Sequence, residues 1–87
     1  MNVLFSAKAW KQYLFWQDND RALLRKLNVL IKDCQRDPFS GLGHPEPLNG
    51  DLSGFWSRRI DREHRLVYRV ADERLEIAQC RYHYART

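Results

Sequence analysis

The sequence predicts a single α+β domain: an N-terminal strand, an antiparallel two-helix hairpin, and a mainly antiparallel sheet completed by a C-terminal β-meander. Three observations predict it. Apolar residues recur at helical spacing as far as Asp37, prolines and glycines then cluster in one stretch, and apolar and polar residues alternate after it. A chain of 87 residues has room for one core, so residues 1–87 are read as one domain.

Asn2–Phe5 reads as a short strand and Ser6 as the N-cap of the first helix, since a serine oxygen can satisfy an open donor of the first turn. In Ala7–Gln17, Trp10, Tyr13 and Leu14 fall at helical spacing between Lys8, Lys11 and Gln12. Asp18-Asn19-Asp20 reads as a turn that also caps a second helix, which runs to about Asp37. Leu23, Leu24, Leu27, Leu30, Ile31 and Cys34 form its apolar stripe, and Pro38 ends it. So short a turn makes the helices antiparallel neighbours. Pro38–Asp51 then carries three prolines and three of the four glycines, a loop whose length in so small a domain points to function. Three β-type runs follow, Leu52–Ile60, His64–Ala71 and Leu75–Tyr84, joined by Asp61-Arg62-Glu63 and Asp72-Glu73-Arg74. Alternation sets Leu66, Tyr68 and Val70 on one face and Arg65, Val67 and Arg69 on the other. It groups Ser57 with Arg59, and Arg81 with His83 opposite Cys80, Tyr82 and Tyr84. One face therefore packs on the helices, and the other gathers arginines and a histidine.

The formal net charge of +4 favours an anionic partner, whether nucleic acid, acidic protein or anionic membrane, and serves solubility equally well. Its distribution is more informative. After Ser57 stand eight arginines (Arg58, Arg59, Arg62, Arg65, Arg69, Arg74, Arg81, Arg86) and no lysine, whereas every lysine lies at or before Lys32. The planar guanidinium fork suits phosphate. Five acids in the same stretch, Asp61, Glu63, Asp72, Glu73 and Glu76, leave open a sheet face threaded with ion pairs. Cys34 and Cys80 form neither a disulfide framework nor a metal motif, and both fall in apolar-periodic segments, so buried free thiols are expected. No apolar run is long enough to span a membrane and no signal-peptide pattern is present, so a cytoplasmic protein without membrane association is expected.

Four motifs narrow the reading: Pro45-Glu46-Pro47-Leu48, Leu52-Ser53-Gly54-Phe55-Trp56-Ser57-Arg58-Arg59-Ile60, Glu63-His64-Arg65-Leu66-Val67-Tyr68 and Cys80-Arg81-Tyr82-His83-Tyr84. With Tyr13-Leu14-Phe15-Trp16-Gln17 and Leu30-Ile31-Lys32-Asp33 upstream, the chain resembles the YoeB toxins of the RelE/ParE superfamily, from the first strand to Tyr84. The resemblance implies a RelE-like fold and the toxin of a type II toxin–antitoxin system. It implies an endoribonuclease that enters the 70S ribosome and cleaves translated mRNA in the A site, inhibiting translation. It further implies a YefM-type antitoxin that wraps its C-terminal segment over the toxin, a toxin homodimer, and operator DNA bound only through the antitoxin complex.

Cutting RNA without a metal uses the neighbouring 2′-hydroxyl as nucleophile. A base takes its proton, an acid protonates the departing 5′-oxygen, and cations hold the crowded phosphate, so no cofactor is needed. The resemblance implies Glu46 as general base, Arg65 as the cation on the transition-state phosphate, His83 as general acid, and Tyr84 as a phosphate-positioning ring. An unperturbed imidazole titrates at about 6.5, which makes both protonation states available near neutrality. Arg59 matches a second substrate-contacting arginine, and Asn49, His44 and Arg81 complete the substrate-binding candidates.

Taken singly, each residue also has a plainer reading. Glu46 is an exposed loop carboxylate between two prolines, Arg59 and Arg65 are surface ion-pair partners of Glu63 or Glu76, His83 frays at a chain end, and Tyr84 pegs the last strand. His64 reads as structural, and Trp10, Trp16 and Trp56 as core or dimer contacts. Two departures matter. Asn49 stands where related toxins can carry a lysine near the scissile phosphate, and His44 occupies a position that is often basic. The tail Ala85-Arg86-Thr87 follows the tyrosine that often ends the family. Asn49 favours an alternative of another class, a catalytically weakened RNA- or ribosome-binding module acting mainly with its antitoxin in operon repression. An enzyme cutting free RNA fits the same residues.

Overall fold

In the computed structural model, which describes residues 1–84, strand β1 (Asn2–Phe5) leads through Ser6 into helix α1 (Ala7–Asn19). The Ser6 hydroxyl accepts the Ala9 N–H at 3.0 Å, as its N-cap role requires. The expected three-residue turn is shorter, for α1 continues through Asn19 and α2 (Arg21–Arg36) starts after Asp20 alone. Asp20 serves both helices. Its N–H donates to the Trp16 carbonyl at 2.9 Å and closes α1, while its carboxylate accepts the Leu23 N–H at 3.0 Å and opens α2. Tyr13 and Asn28, nearly equidistant from Asp20, meet through a 2.9 Å hydrogen bond, so the helices run antiparallel. Their inner faces, with Ala9, Trp16, Leu23, Leu27, Leu30, Ile31 and Cys34, pack on Ile60, Leu66, Tyr68, Leu75, Ile77 and Cys80 of the sheet side. Both cysteines are buried and unpaired, and burial pushes the thiols up to about 11 at Cys34 and about 12 at Cys80. Among the described residues, no helix is long and apolar enough to cross a membrane.

The remaining strands are β2 (Glu46–Pro47), β3 (Trp56–Arg59), β4 (Arg65–Ala71) and β5 (Arg74–Gln79). The sheet order is β1-β5-β4-β3-β2; β1 lies parallel to β5 and every other pair is antiparallel. Three boundaries differ from the sequence reading. The long loop contains an edge strand, β2, a place where Pro47 is tolerated because no ladder donor is required of it. The first β-type run starts late, because Gly50–Leu52 form a 3₁₀ turn and pairing begins only at Trp56. The last run ends at Gln79 and not at Tyr84.

A bulge explains that early end. Val67 faces Gln79 whereas Tyr68 faces Ile77, which leaves Ala78 as an extra residue on β5. Leu75 and Ile77 face the helices; the extra residue shifts the alternation, so Gln79 joins Val67 on the outer face and Cys80 returns to the core. Burial on β4 departs from simple alternation as well. Val67, expected outside, is 2 % exposed, while Val70, expected inside, is 37 % exposed. Val70 lies one pair from the tip of the β4–β5 hairpin, whereas Val67 is flanked by the buried Ser57 and Gln79.

One of the arginines thought to face phosphate is instead fully enclosed. Arg58 donates from Nε to the Tyr68 hydroxyl (3.1 Å), from Nη1 to Asp33 (2.6 Å) and the Leu42 carbonyl (3.0 Å), and from Nη2 to the carbonyls of Asp37 (2.7 Å) and Ser40 (3.0 Å). Every guanidinium N–H is thus satisfied. Burial opposes its charge, yet the Tyr68 and Asp33 contacts outweigh that and raise its pKa. The Leu42 N–H and the Arg58 guanidinium in turn hold the Asp33 carboxyl well below the usual carboxylate range. This pin fastens the segment after α2 to β3. At Gly43 (φ +79°) a side chain would press on the Arg59 carbonyl and Leu30, each 3.0 Å from the Cβ position. The chain therefore passes close to β3 before entering β2.

Candidate active site

Cross-strand partners share a sheet face, and the register collects the expected residues on the face away from the helices. Glu46 pairs with Ser57, Ser57 with Val67, Arg59 with Arg65, and Val67 with Gln79. Glu46 is exposed on the edge strand, and the flanking Pro45 and Pro47 limit its backbone. Arg59 is exposed; its backbone N–H is fixed by the Gly43 carbonyl at 2.7 Å. Arg65 folds its Nη1 onto the carbonyls of Asp61 (2.8 Å) and His64 (3.1 Å) in its own β3–β4 turn.

The ion pairs offered as the plainer reading of these arginines do not form. Glu63 faces His64 at 3.6 Å, and Glu76 is taken by Arg69 at 2.7 Å and Arg74 at 3.3 Å. Among the described residues, neither Arg59 nor Arg65 contacts a carboxylate, so both cations remain available to an external anion.

The C-terminal segment is a hook and not a strand. Trp16 Nε1 donates to the Cys80 carbonyl (2.9 Å), and the Cys80 N–H donates to Gln12 Oε1 (2.8 Å). Gln79, turned outward by the bulge, donates to the carbonyls of Arg81 (2.9 Å) and Tyr82 (3.1 Å). The Arg65 N–H donates to the Tyr82 carbonyl at 3.0 Å, and the Tyr82 N–H donates to His64 Nδ1 at 2.7 Å. His83 and Tyr84 thus follow directly on a residue tied to the start of β4. His83 is exposed, with its ring 4.4 Å from that of Tyr84.

The expectation that Arg81 shares a strand face with His83 is overturned, because no strand remains there. Arg81 lies over the Phe15 ring at 3.5 Å and the Tyr82 ring at 4.5 Å, on the side of α1. His44 and Asn49 are exposed in the loop before and after β2. The tail Ala85-Arg86-Thr87 lies outside the described residues. Of the tryptophans, Trp16 is buried and Trp56 packs against the core, while Trp10 stays 47 % exposed and stacks on Tyr13.

Glu46, Arg59 and Arg65 therefore share one face, and His83 with Tyr84 follows the anchor at its Arg65 end. A carboxylate, an imidazole and two uncancelled guanidiniums are the groups that proton transfer around a phosphodiester calls for. Sequence reasoning missed the Arg58 pin and the Gln12 and Gln79 anchors, and it read His64 as structural without finding its partner, Tyr82. Arg58 had a usable signal: grouping Ser57 with Arg59 already sends Arg58 inward, where a charge requires a partner. The Gln12 and Gln79 anchors had none, since the bulge is what turns Gln79 outward and Cys80 inward.

Residues 5–84 match the family model described as the YoeB-like toxin of bacterial type II toxin–antitoxin systems. The toxin YoeB of Escherichia coli K12 is 57 % identical over 84 residues, covering 97 % of this chain and 100 % of that protein. The solved YoeB/ParE toxin from Agrobacterium tumefaciens superposes with a TM-score of 0.94 at 51 % identity, over 97 % of this chain and 100 % of its own. In the YoeB–YefM complex from Staphylococcus aureus the matching chain is 44 % identical with a TM-score of 0.89, over 97 % of this chain and 98 % of its own.

Proposed function

The chain belongs to the YoeB family of type II toxins, and from that premise we propose that it is a ribosome-dependent endoribonuclease that cleaves translated mRNA in the A site. Glu46 takes the proton of the 2′-hydroxyl, and the 2′-oxygen attacks the adjacent phosphorus. Arg65 and Arg59 bear on the non-bridging oxygens as charge builds there. His83 gives its proton to the departing 5′-oxygen, and Tyr84 lies along the phosphate. The products are a 2′,3′-cyclic phosphate and a 5′-hydroxyl, with the proton balance closed between Glu46 and His83. The observation that carries this reading is the pairing of Arg59 with Arg65 on the Glu46 face, with the neighbouring acids engaged elsewhere.

The partners follow from the family. A YefM-type antitoxin holds the toxin inactive by wrapping its C-terminal segment over it, and the YoeB–YefM complex from Staphylococcus aureus supports such a partner by likeness. The toxin is a cytoplasmic homodimer that reaches operator DNA only through the antitoxin complex. Asn49, exposed in the β2 loop, supports the second reading, a module that binds the ribosome and cuts poorly. Toeprinting a defined messenger with purified protein, with and without ribosomes, decides among these. Cuts at A-site codons only when ribosomes are present are expected. Equal cutting of free RNA would remove the ribosome from the mechanism. Ribosome binding without cuts, with cutting gained by Asn49→Lys, would establish the second reading.

A further inference from the structure

We propose that His64 is a positioning residue of the catalytic centre: its Nδ1 lone pair holds the Tyr82 N–H and so sets where His83 and Tyr84 stand. The proposal rests on the reading of His83 as the general acid. Its geometric basis is a grip by two consecutive residues. His64 accepts the Tyr82 N–H through its side chain at 2.7 Å, and Arg65 donates its backbone N–H to the Tyr82 carbonyl at 3.0 Å. Both polar backbone groups of Tyr82 are thereby fixed to the turn that also carries the Arg65 guanidinium. The general acid and the phosphate-holding cation thus share one anchor.

The grip works against a conformational cost. Tyr82 has φ +67°, in the left-handed region that a bulky side chain rarely adopts. Without an acceptor at position 64, the Tyr82 N–H loses its partner and this backbone conformation loses a support. The imidazole is itself locked. Its ring meets Trp16 edge to face at 4.8 Å, its backbone N–H donates to Asp61 Oδ1 at 2.7 Å, and Nε2 lies 3.6 Å from Glu63 Oε1. Because Nδ1 accepts, the ring proton of the neutral form sits on Nε2, towards Glu63. A leucine or phenylalanine would fill the space against Trp16 and offer no acceptor. Asparagine places an oxygen close to the position of Nδ1, whereas glutamine places its oxygen near that of Nε2.

That difference supplies the test. His64→Asn, His64→Gln and His64→Leu are compared with the native protein by amide hydrogen exchange at Tyr82 and by cleavage kinetics on messenger-loaded ribosomes. Tyr82 exchange is expected to stay slow in His64→Asn and to rise about tenfold or more in His64→Gln and His64→Leu. The cleavage kcat is expected to fall about tenfold or more in the last two, with half-saturation within about twofold, and largely to recover in His64→Asn. Unchanged Tyr82 exchange in all three variants, or a His64→Asn no better than His64→Leu, would overturn the proposal. If His64→Leu does not fold, the Asn and Gln pair carries the comparison. If the native protein cuts nothing, the nuclease reading fails, and the Tyr82 amide alone decides whether His64 holds the segment.

Discussion

Arg58 and Arg59 are neighbours in one strand with opposite tasks. Strand parity turns Arg58 to the helices, where five hydrogen bonds enclose it, and leaves Arg59 exposed. Composition alone cannot separate them, which is why the run of arginines overstated the phosphate-facing set; alternation can. Arg58→Leu should lower stability by about 3 kcal/mol, since Asp33 and several carbonyls lose their partner. Arg59→Ala should stay within about 0.5 kcal/mol of native while slowing cleavage. Urea unfolding beside a cleavage assay checks both. Asp33 adds a pH signature. Its folded pKa is depressed, so its contribution is full above the unfolded value of about 3.9 and is lost as pH falls below that towards the folded value. The urea midpoints of the native protein and Asp33→Asn should therefore lie apart at pH 7, and the gap should begin to narrow only as pH falls below about 4. A gap that stays constant would mean that Asp33 is not the ionised partner of Arg58.

At the scale of elements, the helices were legible because their signals are local. Ser6 and Asp20 cap where cap residues are expected, and the apolar stripe of α2 is the buried one. Asp20 shows how tightly this is drawn, as a single residue ends α1 and begins α2. Asp20→Ala should cost about 1 kcal/mol in thermal unfolding and leave the cleavage rate of the folded protein unchanged. The strand ends were less legible because tertiary context sets them. Nothing local marks Ala78 as a bulge, and without the bulge the alternating pattern runs on to Tyr84. The two-residue β2 is equally silent, for it exists only by pairing with β3. These two features deliver Glu46 and His83 to their places, so the hidden part of the fold is the part that assembles the candidate site.

Across the whole molecule, the two sheet faces divide the labour. The inner face and the helices supply the core, and the outer face presents cations whose neighbouring acids are engaged with other residues. The family likeness supplied the candidate members of the site from sequence, and strand register accounts for how Glu46, Arg59 and Arg65, far apart in the chain, reach one face. Glu46 and His83 are proposed to act there as one acid–base pair. Single-turnover cleavage on messenger-loaded ribosomes, for the native protein, Glu46→Ala, His83→Ala and the double variant, tests it most directly. Each single variant should bind ribosomes normally and cut about 10²–10⁴-fold more slowly, with the double variant little worse than either. A single variant that cuts within about twofold of the native rate would contradict the account.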